Sequence, residues 1–467
     1  MSGWLSSPAA AAAFLLLASC EAAGGPAGET APAVAEAEQA IPAAAPAPAG
    51  ESAGPLAAAA PAGLADAEPP SPALREHRLE PSGGEPFDHF GVAVAAGDRT
   101  VVAGARYADV AGTDSGAAYV FRLAPGGWGE EAKLVPADAL EHDRFGNAVG
   151  SDSDTIVVGA PGHHDLGRRV GSAYVFRRAG AAWRQEARLF VDGLARFGHA
   201  VAISGDRVVV GAPGDSVNDL PAGAVYVFRR DGSTWRREER LTAGDAEAGD
   251  LFGLSVGISA GTVVAGAPGD DERGSLTGAA YVFVREGGGW RQEAKLLAED
   301  AAALGEFGKV VAIDGDAIVA GAEGASDVKP PGPSRGAATR SKFAGAAYAF
   351  RRGTDGWRQE AKLQAADRRP GDRFGCAVAV HRETIAVGAH FADPAGLGSG
   401  AAYLFRLRQA AWRQEAKLVR SGAEAGEEFG RAVAVYGGTV SVGALRGSGA
   451  SRSAGSVFVF EAPTSPP

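Results

Sequence analysis

The sequence predicts an all-β protein, a seven-bladed β-propeller whose blades are four-stranded antiparallel sheets. Three observations predict this fold. The dipeptide Phe-Gly occurs seven times in the 467 residues, similar short apolar segments follow each copy, and six of the seven units end in a Trp-containing heptapeptide. A fixed period with about four strands per unit is typical of propellers. The repeated phenylalanines are Phe90, Phe145, Phe197, Phe252, Phe307, Phe374 and Phe429.

The first two strands of each unit are predicted to form a hairpin. In the fourth unit, FGLSVGI and TVVAGA are rich in apolar and β-branched residues, and the turn residues SAG join them. A third segment, GAAYVF, predicts the third strand of that unit. The first two segments contain much Ala and Gly, which suits the crowded positions nearest the propeller axis.

The heptapeptide WRQEAKL, present unchanged at 290–296, 357–363 and 412–418, is the predicted fourth strand. Its residues favour helices, but seven residues between Gly-rich turns are too few for a stable helix. Bulky and charged side chains alternate along it, as Trp290 and Arg291 show. One charged face is typical of an exposed edge strand. From the axis outward we therefore expect the Phe-Gly strand, the Gly-Ala strand, the Tyr-Val-Phe strand and the Trp strand.

The seventh unit has no Trp strand of its own after Phe460. Upstream of the first Phe-Gly, the segment LREHRL at Leu74–Leu79 aligns its Glu76 and Leu79 with the Glu and Leu of the heptapeptide. We therefore expect this segment to supply the outer strand of the last blade and to close the ring. Ala73 stands in place of the Trp, so we expect this outer strand to be the weakest.

These units resemble the FG-GAP repeat family, bacterial relatives of the propeller of integrin alpha subunits. The resemblance rests on the Phe-Gly dipeptides and on segments such as VVVGAP, and it extends over about residues 75–461. It implies a propeller and, in integrin-type members, calcium in Asp-rich loops between the first two strands. Those turns are short here, and Asp152 with Asp154, or Asp314 with Asp316, offers fewer than the six to eight oxygens that calcium takes. We expect no cofactor and no metal, calcium included.

Residues 1–20 predict an export signal with a lipidation site. The apolar run Ala9–Ala18 is too short to span a bilayer as a helix, and the sequence LASC ending at Cys20 resembles the lipobox of bacterial lipoproteins. MSGWLSSP lacks the usual Lys or Arg, so an ordinary cleaved signal remains the alternative. Residues 21–73 predict a disordered Ala/Pro/Glu-rich tether and residues 462–467 a disordered tail. The expected location is the bacterial cell envelope, at the outer membrane or the cell surface.

Composition excludes some classes of function. A net charge of −11 argues against a general nucleic-acid binder, because phosphate contacts need clustered Lys and Arg. The two cysteines are Cys20 and Cys376, so a lipidated Cys20 leaves no intramolecular disulfide. We expect a monomer that contacts the membrane through a lipid anchor.

Candidate binding residues lie where the seven units differ. The residue after Phe-Gly varies most and is expected near the mouth of the channel; its polar versions are Asn147, His199, Lys309 and Arg431. Cys376 occupies the same position and is equally consistent with an inert thiol. The long insertion of the fifth unit adds Lys329, Arg335 and Arg340, which suit an anionic partner, with a solvated loop as the alternative.

Acidic residues precede Phe-Gly in most units, and two interpretations of them are open. They form either a partial carboxylate ring at the channel mouth or a set of acceptors for backbone N–H groups of their own turns, and the second is favoured. These residues are Asp88, Asp143, Asp250, Glu306, Asp372 and Glu427.

Two further patterns are interpreted as structural. His163, His164 and Asp165 are adjacent, and adjacent side chains diverge, whereas zinc needs three or four converging ligands. Ser255 lies in a G-x-S-x-G pattern, but inside a predicted strand rather than on a strand-to-helix turn.

The sequence favours a non-enzymatic module for binding or adhesion that presents one propeller face to a protein or glycan. The export signal, the tether and the lack of a paired catalytic constellation support this hypothesis, so no catalytic residue is assigned. One alternative is an envelope-assembly scaffold. The other is a carbohydrate-active hydrolase or lyase that uses His199, Asp143 and other carboxylates at the channel mouth.

Overall fold

The computed structural model describes residues 74–165, 167–193, 195–326, 343–446 and 454–461. Every regular element in these ranges is a β-strand. The described residues contain no helix long and apolar enough to cross a membrane. The predicted signal with Cys20, the tether, the tail, and the loop residues Lys329, Arg335 and Arg340 lie outside the described residues.

Seven four-stranded sheets form the blades of a propeller, as predicted. The innermost strands of blades 1 to 7 are β2 (Phe90–Gly97), β6 (Ala148–Asp152), β12 (Ala200–Ser204), β16 (Val256–Ser259), β20 (Val310–Asp314), β24 (Ala377–His381) and β28 (Phe429–Tyr436). The second strands are β3 (Thr100–Ala105), β7 (Thr155–Ala160), β13 (Arg207–Ala212), β17 (Thr262–Ala267), β21 (Ala317–Ala322), β25 (Thr384–Ala389) and β29 (Thr439–Ala444).

The outer half of each blade follows the same order. The third strands are β4 (Ala117–Ala124), β10 (Ser172–Ala179), β14 (Ala224–Asp231), β18 (Ala279–Glu286), β22 (Ala346–Gly353), β26 (Ala401–Arg408) and β30 (Ser456–Glu461). The outermost strands are β5 (Gly127–Leu134), β11 (Ala182–Leu189), β15 (Thr234–Leu241), β19 (Gly289–Leu296), β23 (Gly356–Leu363), β27 (Ala411–Leu418) and, in blade 7, β1 (Arg75–Leu79). A two-stranded loop sheet pairs β8 (His164–Asp165) with β9 (Arg168–Arg169).

The Phe-Gly strands surround the propeller axis. Each of them packs against the corresponding strands of its two neighbours, and β28 of blade 7 packs against β2 of blade 1. The predicted radial order, with the Trp strand outermost, is confirmed by the strand order of every sheet.

The N-terminal segment closes the ring, as predicted. β1 pairs antiparallel with β30, with Arg75 opposite Glu461 and Leu79 opposite Val457. Blade 7 is therefore built from both ends of the propeller, and Leu79 is buried in the same cluster as Phe90 of blade 1.

The outer strands do not alternate strictly, and this corrects the place predicted for Glu76. In the other six blades a β-bulge inserts the Glu of the heptapeptide, so that Phe283 faces Gln292 while Val282 faces Ala294 in blade 4. β1 pairs without a bulge, and Glu76 faces Phe460 as Gln292 faces Phe283. Glu76 accepts a hydrogen bond from the Ser421 amide at 3.0 Å, as Gln292 does from Gly244 at 3.0 Å. It thus takes the place of the Gln, because a bulge cannot be recognised by counting residues. By the same register the place of the Trp falls on Leu74, which packs against a core cluster, and not on Ala73, as predicted.

The Trp and the bulged Glu connect neighbouring blades. Trp357 Nε1 of blade 5 donates to Glu293 of blade 4 at 2.8 Å, and Trp290 of blade 4 donates to Glu238 of blade 3 at 3.4 Å. In blade 1, Trp128 donates to Glu461 of β30 at 3.1 Å, which replaces the bulged Glu that β1 lacks. The heptapeptide therefore joins blades.

Glycines join the blades close to the axis. A Cβ on Gly104, in the Gly-Ala segment of blade 1, would lie 1.8 Å from the carbonyl oxygen of Gly146, in the Phe-Gly of blade 2. The same contact recurs at every interface, including that between Gly443 of blade 7 and Gly91 of blade 1. The Phe145 amide also donates to the Ser115 carbonyl of blade 1 at 3.0 Å. Phe-Gly and Gly-Ala are therefore the two halves of one contact between blades.

We predict that Trp290→Ala lowers the free energy of unfolding by about 2–4 kcal/mol, because it removes an indole from a core cluster shared by blades 3 and 4. Chemical denaturation measures this cost. Arg291→Ala, at the neighbouring exposed position, is the control and should change stability by less than about 1 kcal/mol. Equal costs for the two variants would contradict a packing role for the Trp.

Candidate functional site

A tight turn at Phe-Gly begins each innermost strand. The amide of Asn147 donates to the carbonyl of Arg144 at 3.1 Å, and Gly146 between them has a φ of 90°. A positive φ at the third position of such a turn favours glycine. The residue before Phe-Gly also has a positive φ in all seven blades, although it is never glycine: His89, Arg144, Arg196, Leu251, Glu306, Arg373 and Glu428. Side chains held in this uncommon conformation lie at one end of the channel.

We call this end of the propeller the FG face. The second strand of a blade runs antiparallel to the first, so the residue after its Gly-Ala also lies on the FG face. Three variable positions per blade therefore meet there: before Phe-Gly, after Phe-Gly, and after Gly-Ala. The last position holds Arg106, Pro161, Pro213, Pro268, Glu323, His390 and Leu445.

Two of the four predicted residues, Asn147 and His199, are neighbours on the FG face. Asn147 Oδ1 accepts from Arg106 Nη1 at 3.3 Å, and Asn147 Nδ2 donates to the carbonyl oxygen of His199 at 3.0 Å. Asn147 thus links blades 1, 2 and 3, and its amide is already engaged. The side chain of His199 is half-buried beside it.

Lys309 belongs to a network of charges between blades 5 and 6. Its Nζ lies 2.7 Å from Glu306 and 2.8 Å from Glu323, and Arg373 lies 2.9 Å from Glu323. Burial alone would raise the pKa of Glu323, but the charges of Lys309, His390 and Arg373 outweigh it and hold that pKa at about 2. His390 adds no charge at neutral pH, because burial and then Arg431 lower its pKa to about 3. This side of the FG face is neutralised by its own acids.

The charge of Arg431 in blade 7 lowers the pKa of two histidines, His390 of blade 6 and His89 of blade 1. Cys376, the equivalent residue of blade 6, is buried and donates its thiol to the Gly430 carbonyl at 3.4 Å. Burial raises the pKa of this thiol to about 12. The interpretation of Cys376 as an inert thiol is the one that the structure favours.

Sequence reasoning identified one of the three variable positions on the FG face and missed the other two. His89, Arg106, Arg144, Arg373 and Arg446 lie beside the predicted residues, but they stand before Phe-Gly or after Gly-Ala. The signal was present, since these positions also differ among the seven units. What the sequence did not show is that the two positions meet across a blade interface.

The four aspartates before Phe-Gly accept backbone N–H groups of their own turns, as the favoured interpretation expects, whereas Glu306 and Glu427 form ion pairs. Asp88, Asp143, Asp250 and Asp372 are buried, and each accepts the amide of the residue three positions earlier at 2.7–2.9 Å. Glu427 is buried and paired with Arg420. These five carboxylates do not form a ring that is open to the channel. Asp143 also lies 2.9 Å from His163 Nδ1 and is fully buried, so it does not form an accessible pair with His199.

The remaining polar patterns are also structural. His163 is buried next to Asp143 and Tyr174, whereas His164 and Asp165 lie on the loop strand β8. Ser255 accepts the Val311 amide of the next blade at 2.9 Å. Within the described ranges, no group of three or more His, Cys, Asp or Glu side chains is arranged to hold a metal ion.

The short turns between the first two strands of the blades contain engaged carboxylates. Asp152 accepts the Gly205 amide at 2.6 Å, and Asp314 accepts the Arg382 amide at 2.6 Å. Asp154 and Asp316 form ion pairs with Arg177 and Arg351. Their oxygens serve contacts within and between blades.

Seven blades closed by Phe-Gly and Gly-Ala contacts define a propeller of a repeat family. The chain belongs to the FG-GAP repeat family, whose model matches residues 74–121, 128–176, 183–228, 235–283, 290–350, 357–405 and 412–460. Each matched segment contains the outer strand of one blade and the first three strands of the next. The family repeat and the structural blade are thus offset by one strand.

Comparison with other proteins adds little beyond the family. The crystal structure of Sqt1 from Saccharomyces cerevisiae is similar at 10% sequence identity, with a TM-score of 0.44 and coverage of 84% of this chain and 86% of that chain. No match to a curated protein was found.

We predict that Glu323→Gln lowers the free energy of unfolding at neutral pH by about 3 kcal/mol, because it leaves Lys309 and Arg373 without their shared buried carboxylate. The pKa of Glu323 is lowered on folding, so its contribution is present above about pH 4.5 and is lost as the pH falls towards 2. Denaturation at several pH values checks both points. Exposed Glu286→Gln is the control, and a cost for Glu323→Gln that did not shrink below pH 4 would contradict the assignment.

Proposed function

We propose that the chain is a non-enzymatic binding or adhesion module that holds a protein or glycan ligand on its FG face. One observation carries the proposal. On the FG face, equivalent backbone positions of the seven blades bear different side chains, most of them partly exposed, whereas the Phe, Tyr, Gly and Trp of the repeats recur in buried or inter-blade contacts.

The FG face is rigid, as a binding site of this kind needs to be. Its side chains follow tight turns whose glycines pack against the next blade, and the residue before each Phe-Gly holds a positive φ. A rigid scaffold with variable residues at its loops is a common arrangement for binding sites. Asn147, His199, Lys309 and Arg431 remain the proposed contact residues, joined now by Arg106, Arg144 and Arg446.

We place the propeller outside the cytoplasm, as a monomer anchored through a lipid on Cys20. The predicted tether has about 50 residues, and a coil of that length reaches roughly 40 Å on average, enough to hold a domain clear of a membrane. The composition of residues 21–73 and the sequence before Cys20 support this arrangement.

Two alternatives are separated by the same experiments. The burial of Asp143 and of four other carboxylates before Phe-Gly weakens the hydrolase or lyase hypothesis, because it removes five of the six acids proposed for the channel mouth. An envelope-assembly scaffold would use the same face, and the identity of the captured partner distinguishes it from an adhesion module.

The FG face is tested by capture of envelope proteins and glycans on the purified chain, followed by affinity measurement with each captured ligand. The triple variant Asn147→Ala, His199→Ala, Arg431→Ala should weaken binding at least tenfold, because its side chains lie on the FG face, while its circular dichroism stays native. The control triple Asp98→Ala, Arg382→Ala, Glu383→Ala changes exposed turns at the opposite end. Equal affinities for both variants, or turnover of a polysaccharide by the wild type, would refute the proposal.

The anchor is tested with the two cysteines as a matched pair. Cys20→Ala should release the chain from the membrane fraction of a bacterial host and abolish globomycin-sensitive processing, whereas Cys376→Ala should leave both unchanged. Mass spectrometry of the mature N-terminus should find lipid on Cys20. An unmodified Cys20 in the mature protein would refute lipid anchoring.

A further inference from the structure

Positive charge gathers on one side of the FG face, where blades 7, 1 and 2 meet. We call His89, Arg106, Arg144, Arg431 and Arg446 the basic cluster. We propose that the basic cluster binds a single oxyanion group of the ligand, a phosphate or a sulfate. This inference rests on the proposed function and names the chemical group that the face recognises.

Three members of the basic cluster lie around the aromatic ring of Tyr107. The His89 ring centroid lies 4.8 Å from that of Tyr107, and the guanidinium carbons of Arg106 and Arg144 lie 4.7 Å and 5.7 Å from it. Arg106 and Tyr107 follow β3 of blade 1, whereas Arg144 precedes Phe145 of blade 2. The inter-blade contact therefore brings these cations to one place, and two guanidinium groups interact with one ring.

Blade 7 supplies the other two arginines. Arg431 lies on β28, and Arg446 follows β29. Burial is the largest cause that lowers the pKa of His89, and the charges of Arg106, Arg446 and Arg431 lower it further, to about 4. The imidazole is therefore neutral at pH 7, and its buried Nδ1 atom has no hydrogen-bond partner among the described residues. Three arginines from two blades thus make the surroundings of one side chain strongly positive.

Both sides of the FG face combine cations with acidic side chains. Around Lys309 and Arg373, Glu306 and Glu323 lie at ion-pair distance. Beside the basic cluster, Glu428 lies 3.6 Å from Arg446. Like charges that are held together repel one another, and a bound anion relieves this repulsion.

A compact oxyanion fits these surroundings better than a long polyanion does. Guanidinium groups donate paired N–H bonds that match phosphate and sulfate oxygens. The chain as a whole carries a net charge of −11, which repels an extended polyanion, whereas one anionic group needs only the local cluster. The ligand is therefore expected to present one such group to blades 7, 1 and 2.

The experiment titrates inorganic phosphate and inorganic sulfate into the full chain by calorimetry at pH 7 and constant ionic strength. We expect saturable one-site binding with a Kd on the order of 1 mM. The variant Arg431→Gln, Arg446→Gln should weaken it at least tenfold, because each guanidinium contributes charge-assisted hydrogen bonds. Arg413→Gln, on the exposed outer strand of blade 6, is the matched control and should bind like the wild type.

The pKa of His89 provides a second measurement, made inside the basic cluster. A bound anion should raise the pKa of His89 from about 4, as followed by NMR of its imidazole, because it offsets the charges of Arg106, Arg431 and Arg446. His77, on the outer strand β1, should not respond. A disaccharide with one sulfate and its unsulfated counterpart then show, by competition, whether the group is read on a saccharide or as the free ion.

The outcomes separate this inference from the proposed function. Absence of saturable binding, binding that survives Arg431→Gln, Arg446→Gln, or an unchanged His89 pKa would overturn the oxyanion site. A chain that still captured its partner through the FG face would then keep the proposed function. Phosphate binding at the cluster together with partner capture that ignores the FG face would sustain the site and refute the proposed function.

Discussion

The propeller depends on one close contact, that between the Gly of Gly-Ala in one blade and the Gly of Phe-Gly in the next. At all seven interfaces a Cβ on the first glycine would lie within 1.7–2.1 Å of the carbonyl oxygen of the second. No side chain fits there, so the contact sets the spacing of blades near the axis. The burial of each Phe beside the Tyr and Phe of its own blade, and the Trp–Glu bonds at the rim, follow from blades held at that distance.

Much of this architecture could be predicted from the sequence, because the repeat supplies seven versions of every position. The repeat period predicted four-stranded blades. The alternation of the heptapeptide predicted a strand despite its helix propensity. The missing seventh Trp strand indicated that Leu74–Leu79 closes the ring. The repeats also argued against reading the G-x-S-x-G pattern at Ser255 as a nucleophile motif, because other units have alanine at that position. Strand order and pairing bear out the blade, the fourth strand and the closure of the ring.

Other features could not be predicted from a single amino-acid sequence. A bulge leaves no mark on residue counting, so Glu76 was assigned to the place of the Glu and not to that of the Gln. Residues that meet across a blade interface, such as Arg106 and Asn147, lie 41 positions apart and belong to different motifs. The burial of Asp143 beside His163 depends on a loop that folds back over its own turn. In each case the contact joins two segments of the repeat whose proximity cannot be inferred from the repeat period.

The offset between the family repeat and the blade has a consequence for how such a chain changes in evolution. Every matched segment begins with an outer strand and ends after the third strand of the next blade. Duplication or loss of one segment by unequal recombination would therefore add or remove one complete blade and leave both termini able to pair. The number of blades is then limited by how far the glycine contact tolerates a change of angle between neighbours, since closure is available to a ring of any size.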